Sequence, residues 1–227
     1  WGLAETSLGV LPPSRVASPH LQQYFPWVPL PTDSHVGILP LAEAGKLGAL
    51  LLQYPAGFHL SAENLEKIER TLRWFYDYPK VVELRHRSWS EKNAEIQALL
   101  LDNRAGAALI DEPKFTTSIR QPAEAIGEIF YFRAHGRNAK AWWNPKQSWE
   151  RYDYLYSREE IERHAERIKT AASTTGVKKA FAFYNNHARA NAPANAIMLS
   201  QELKVRLQAM PPEAMVTNFP DLIQVTG

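Results

Sequence analysis

Cysteine is missing from the 227 residues. That absence excludes a disulfide framework, a thiol nucleophile and any zinc site with sulfur ligands, and it fits a reducing compartment, so a cytoplasmic location is expected. Long apolar runs are missing too. The longest lies around residues 47–52, far short of the roughly 20 residues that a membrane span needs. No signal-like start is visible, and a soluble protein is expected. Excess charge of one sign is also scarce: 26 Lys and Arg against 24 Asp and Glu leave a net charge of +2. Charge alone therefore gives no argument for nucleic acid. With 45% of its residues hydrophobic, the chain has enough apolar material for a sizeable core in one domain.

The sequence opens on Trp1 and passes through a proline-dotted stretch from Leu11-Pro12-Pro13 to Pro26 and Pro29-Leu30-Pro31. The expectation is either a processed or trimmed start with an ordinary loop-rich lead, or missing internal segments. From residue 45 onward, short apolar runs alternate with helical patterns, the signature of βα units around a parallel sheet. Strands are expected at Ala49–Gln53, Val81–Arg85, Ala107–Asp111, Ile129–His135 and Lys179–Asn185. Leu65, Ile68, Leu72 and Phe75 recur at helical spacing after Ser61, which predicts a helix over about 62–76. A second helix is expected after Ser90, with Ile96, Leu99 and Leu100 inward, ending before Gly106. Ser157 and Glu160 have capping-box spacing at the head of a third, which carries Ile161, Ala165 and Ile168 and stops before Gly176. A last helix is expected over about 194–208. The tail from Pro211 reads either as one more short strand or as surface packing.

No repeat, low-complexity tract or linker divides the chain, so residues 1–227 read as a single domain. Five βα units fall short of the eight that close a barrel, and residues 1–44 are too short for three more. Either the barrel is incomplete or the fold is an open sheet.

Polar residues gather at the strand ends: Glu83 to Trp89, Asp111-Glu112-Pro113, Arg133 to Asn138, and Tyr184 to His187. In α/β folds this is where ligands bind. Strand side chains alternate, so Glu83 shares a face with Arg85, Leu109 with Asp111, and Arg133 with His135. If those faces all point inward, Glu83, Arg85, Asp111, Arg133, His135 and Asn185 converge on one cavity. The cluster then reads either as an ion-pair network filling the mouth of the sheet or as an anion or sugar-like pocket with acid/base groups. In the second reading His135 is the general acid/base, with Glu83 or Asp111 as its carboxylate partner. Arg85, Arg133 and Arg137 clamp a phosphate or carboxylate, and Asn138, Asn185 and Asn186 orient it. Trp143 and Tyr154 belong to an aromatic segment that reads as a lid or stacking surface, or as ordinary packing. Glu83, Asp111, Glu112, His135 and His187 offer ligands for a divalent metal, but no supporting spacing exists, and no metal site is assigned. Cofactor and oligomeric state stay open.

In combination and order, several stretches resemble the YecE-like proteins, the domain-of-unknown-function family numbered 72. They are KLGALLLQYPAGF at 46–58, VVELRHRSW at 81–89, ALIDEP at 108–113, YFRAHGRN at 131–138, YDYLYS at 152–157 and FYNNHARANAPANA at 183–196. The resemblance covers about residues 36–207 and implies a TIM-type (β/α) barrel, but no assigned reaction. The family's opening strand is not recognisable in residues 1–35, where Thr6-Ser7 is at best a remnant. Two function classes follow. One is an enzyme that binds or hydrolyses a phosphate-bearing small molecule. The other is a non-catalytic binder of nucleic acid or metabolite, with a metal-dependent phosphodiesterase standing beside them by fold analogy alone.

Overall fold

The five apolar runs become five strands, β1 (Leu50–Gln53), β2 (Lys80–Glu83), β3 (Ala105–Asp111), β4 (Ile129–Ala134) and β5 (Lys179–Tyr184). The computed structural model describes residues 32–122, 124–207 and 210–220. The proline-dotted opening, Trp1 and Thr6-Ser7 lie outside the described residues. The strands neighbour one another in sequence order, and all four pairings are parallel. The expectation of consecutive parallel neighbours holds. The sheet curls as a half barrel with helices packed on its outer side.

Sequence explains the strands' burial. Every residue of β4, IFYFRA, is buried, as befits an interior strand of a parallel sheet flanked by β3 and β5. One face carries Val81, Ala108, Ile129 and Tyr131, joined by Leu51 and Phe181. The other face, represented by Leu109, Phe130, Phe132 and Ala134, packs beneath the helices.

The helices are α1 (Thr32–Glu43), α2 (Ala62–Trp74), α3 (Ser88–Glu91), α4 (Asn93–Asp102), α5 (Arg158–Ala172), α6 (Asn191–Glu202) and α7 (Glu213–Asn218). Ser61 caps α2 by accepting from the Asn64 amide at 3.1 Å. The expected capping box on α5 forms in full, with Ser157 and Glu160 each bonded to the other's backbone. Along α4, Ile96 and Leu100 are buried while Leu99 is only half-buried. No described helix is long and apolar enough to cross a membrane.

Several boundaries depart from expectation. The helix α1, which the sequence pattern does not predict, carries Pro40 inside it and Gly37 one turn earlier. The last long helix starts at Asn191 rather than 194 and stops at Glu202. The tail holds the helix α7 and, among its described residues, no strand.

The β3–β4 connection is the largest departure, because helices were expected on every crossover. Residues 112–128 contain none among those described. The segment is spent differently. Backbone bonds run from the Arg87 amide to the Thr117 carbonyl and from the Ile119 amide to the Arg85 carbonyl, both 2.8 Å, so residues 117–119 lie antiparallel to the chain that leaves β2. The Gln121 side chain then replaces a neighbouring strand for β3: its Oε1 accepts from the Ile110 amide at 3.0 Å, and its Nε2 donates to the Ala108 carbonyl at 2.6 Å. The β2–β3 ladder accordingly ends at the Val82–Ala107 pair. For the same reason β2 ends at Glu83, two residues before the expected Arg85.

Candidate functional site

Two charged clusters sit at the C-terminal ends of the strands, on opposite faces of the sheet. The first lies on the inner face. Its centre is Glu83, wholly buried at the end of β2 and in register with Gln53 of β1. Arg133, near the end of β4, donates through Nη1 to Glu83 Oε2 at 2.5 Å and to Gln53 Oε1 at 2.6 Å. Arg85 donates through Nε to Glu83 Oε1 at 2.7 Å and sets its Nη2 2.8 Å from His135 Nε2. Its Nη1 stands 3.6 Å from Glu112. Thus Glu83, Arg85, Arg133 and His135 meet as the strand alternation predicted.

The electrostatics follow from one carboxylate serving two guanidiniums. Burial alone would push the Glu83 carboxyl up. The groups around it, His135 and the Arg85 and Arg133 guanidiniums, outweigh burial and hold it at about 2. Glu83 is therefore ionised at neutral pH, which suits it to bracing the guanidiniums rather than to giving up a proton. Burial pushes the Glu112 carboxyl up, against the pull of Arg85. Burial also lowers His135, the Glu83 carboxylate opposing and the two guanidiniums assisting. His135 is neutral at pH 7. Since its Nε2 accepts from the Arg85 guanidinium, which can only donate, the hydrogen-bond network assigns the ring proton to Nδ1. That atom is buried and has no partner among the described residues.

The second cluster lies under the helices and corrects the expectation of a single cavity. Asp111 is in register with Ala134, not with Arg133 or His135. Its side chain consequently joins the helix-side face that Leu109 and Phe132 occupy. Arg137 grips it with two bonds, Nε to Oδ1 at 2.8 Å and Nη2 to Oδ2 at 2.6 Å. The Tyr156 hydroxyl donates to Oδ1 at 2.9 Å, and His164 Nε2 of α5 stands 3.5 Å from Oδ2. Burial raises Asp111, but the bonds and charge of Arg137, with His164 close by, hold it well below the usual carboxylate range. The Asp111 hydrogen bond in turn raises Arg137. Tyr156 and Tyr184 are pushed up, chiefly by burial.

Arg137 also reaches Glu160 at 2.7 Å, and the Tyr154 hydroxyl donates to the same carboxylate at 2.9 Å. Tyr154 is thus part of this second network rather than a lid on the first. Gly136 makes the turn between the clusters. Its φ of +88° suits glycine, a Cβ there would sit 3.0 Å from the Tyr154 Cβ, and its amide donates to the Tyr156 hydroxyl at 2.8 Å.

Of the remaining expected residues, Asn138, Asn186 and Trp143 fall outside the inner cluster. Asn138 donates to the Glu150 carbonyl at 2.9 Å and ties down its own loop. Asn186, fully buried, bonds the Tyr154 carbonyl at 2.7 Å and Asn195 of α6 at 2.8 Å. Asn185 extends the ladder through its backbone amide, 2.7 Å from the Ala134 carbonyl. Trp143 is exposed and packs on Phe115, 5.4 Å between ring centroids. Of the possible metal ligands, His187 bonds the Asn185 carbonyl at 3.1 Å, while Glu83 and Asp111 belong to separate clusters. Among the described residues no group of three or more His, Asp or Glu side chains is placed to hold a metal ion.

Sequence reasoning missed Gln53, Gln121 and His164. A parity signal existed for Gln53, which follows Leu51 onto the inner face. His164 stands among the apolar-face residues Ile161, Ala165 and Ile168 of α5, an equally legible place for a buried polar side chain. Nothing local marked Gln121.

A parallel half barrel with its charged residues at the C-terminal strand ends defines a barrel-type α/β protein. Residues 32–218 match the family described as "Protein of unknown function DUF72", and the chain belongs to it. It is 26% identical over 188 residues to the UPF0759 protein YunF of Bacillus subtilis (strain 168), covering 79% of this chain and 66% of that protein. A crystal structure of a DUF72 family protein from Thermotoga maritima MSB8 matches with a TM-score of 0.69 and 32% identity, over 76% of this chain and 64% of the other. A DUF72 family protein from Enterococcus faecalis V583 shares the fold at a TM-score of 0.72 and 24% identity, over 88% and 75% of the respective chains. The chain thus spans just under two thirds of the first two relatives' length.

Proposed function

We propose that the inner-face cluster binds the anionic group of a small phosphate-bearing molecule in the cytoplasm, within a barrel of TIM type to which the five strands contribute about half the wall. One observation carries the reading: two guanidiniums and a histidine converge on the single Glu83 carboxylate, and the His135 Nδ1 proton has no partner. Filling a core needs no such surplus of donors, and a buried unpartnered donor is costly unless something meets it. Arg85 and Arg133 supply charge-assisted bonds, Glu83 fixes their planes, and His135 donates from Nδ1. If a phosphoester is hydrolysed here, His135 is the titratable group suited to proton transfer at the rim. Asp111, Arg137, Asn138, Tyr154 and Asn186 act by holding the wall, and a compact metabolite fits this recessed cluster better than a polynucleotide does.

Sulfate is the test ligand because it does not titrate near neutrality. We expect its affinity to rise only as pH falls below about 6.5, since burial lowers His135 and delays its protonation. The variant His135→Gln should stay folded and bind with no such pH dependence. Sulfate binding that shows the same pH profile in parent and variant would falsify the role given to His135.

A further inference from the structure

We propose a second ligand site, distinct from the inner cluster: a cavity between the helix-free β3–β4 crossover and α5 that takes a small phosphorylated molecule carrying a planar ring. The cavity measures about 470 Å³ and is lined by Lys114, Phe115, Thr116, Arg120, Gln121 and Arg167 among others. This size falls within the range of small-molecule sites, roughly 300–1,000 Å³.

Its origin is the crossover itself. Where a helix would have covered β3, residues 117–119 run back along the segment after β2 and leave space under α5. Three cations face that space. Lys114 and Arg120 come from the crossover, and Arg167 comes from α5. No described carboxylate lies within 4.0 Å of any of them. The two nearby acids are committed elsewhere, Asp111 to Arg137 at 2.6 Å and Glu112 facing Arg85 at 3.6 Å. Burial pushes both Lys114 and Arg167 below their ordinary values, outweighing the opposing pull of Glu112 and Asp111 on Lys114 and of Asp111 on Arg167.

An anion answers that surplus, and the rest of the lining says what the anion carries. Phe115 forms part of the wall and is backed by Trp143, so the aromatic segment borders this cavity. Side-chain hydroxyl and amide groups from Thr116 and Gln121 complete the polar lining. A phosphate met by three cations, attached to a ring that stacks on Phe115, satisfies both halves of the cavity.

The experiment titrates the folded protein with a nucleoside 5′-monophosphate, the matching nucleoside and inorganic phosphate, reading tryptophan fluorescence and heat. The monophosphate should bind at least tenfold more tightly than either fragment and change the Trp143 signal. Arg167→Gln should weaken it tenfold or more, and Arg120→Gln, at an exposed position, provides the same test should the first variant fail to fold. Lys178→Gln, at the opposite end of the sheet beside Glu128, should change nothing. The proposal is overturned if the monophosphate binds no better than its fragments, or if Arg120→Gln leaves its affinity as it was. A single-stranded oligonucleotide that binds while the monophosphate does not also overturns it. The variants differ from those that test the inner cluster, so either site can fail alone.

Discussion

At the scale of residues, both clusters lose stability in acid, because each is built on a carboxylate held below its ordinary value. Glu83 has its folded value lowered from the usual 4.5 to about 2. Its stabilisation is complete above about pH 4.5 and disappears as pH falls toward 2, a contribution on the order of 3 kcal/mol. His135, lowered by burial, binds its proton more weakly folded than unfolded. It therefore costs stability as pH falls below about 6.5. Denaturant melts at stepped pH should show stability falling in two stages, the first of which His135→Gln removes. In the second cluster, Asp111→Ala leaves Arg137 with Glu160 alone and takes the acceptor from the buried Tyr156 hydroxyl, and we expect a loss of about 1–3 kcal/mol by urea denaturation. Gly136→Ala must accept both a positive φ and a tight contact with Tyr154, for about 1–3 kcal/mol. Parity within each strand was legible, which is why Glu83 met Arg85 and Arg133 met His135. Relative phase between strands was not. It depends on register, and only the Asp111–Ala134 pairing reveals that Asp111 faces the helices.

At the scale of elements, legibility followed local chemistry. Ser61 and Ser157 carry their capping signals in the sequence, and both helices begin where those signals say. Ser157→Ala should cost about 1 kcal/mol, measurable as a lower denaturation midpoint, since it removes one half of the capping box. The β3–β4 crossover was illegible because its structure is made by distant partners. Residues 117–119 pair with the chain after β2, and Gln121 takes the place of a strand against β3. Gln121→Leu leaves the Ile110 amide and Ala108 carbonyl without these bonds, a loss of about 2–4 kcal/mol for two unsatisfied buried groups. Hydrogen exchange at Ile110 should accelerate in that variant. An unchanged rate would mean that the side chain is incidental to the end of β3.

At the scale of the molecule, the alternation of strand and helix was enough to give a parallel sheet in sequence order, and the named motifs were enough to give the family. What alternation cannot give is closure. The five described strands form an open arc with β1 and β5 at its edges, and the chain covers 64% of the Thermotoga relative. The inner face is where such an arc gathers its charge, and the central claim is that this charge receives an anion. A crystal soaked in selenate tests it most directly, because the anomalous signal locates the anion without assumption. The account predicts a peak within hydrogen-bonding reach of Arg85 or Arg133 and of His135 Nδ1, absent from crystals of the Arg133→Ala variant. Selenate found only beside Lys114, Arg120 and Arg167, or nowhere, would contradict it.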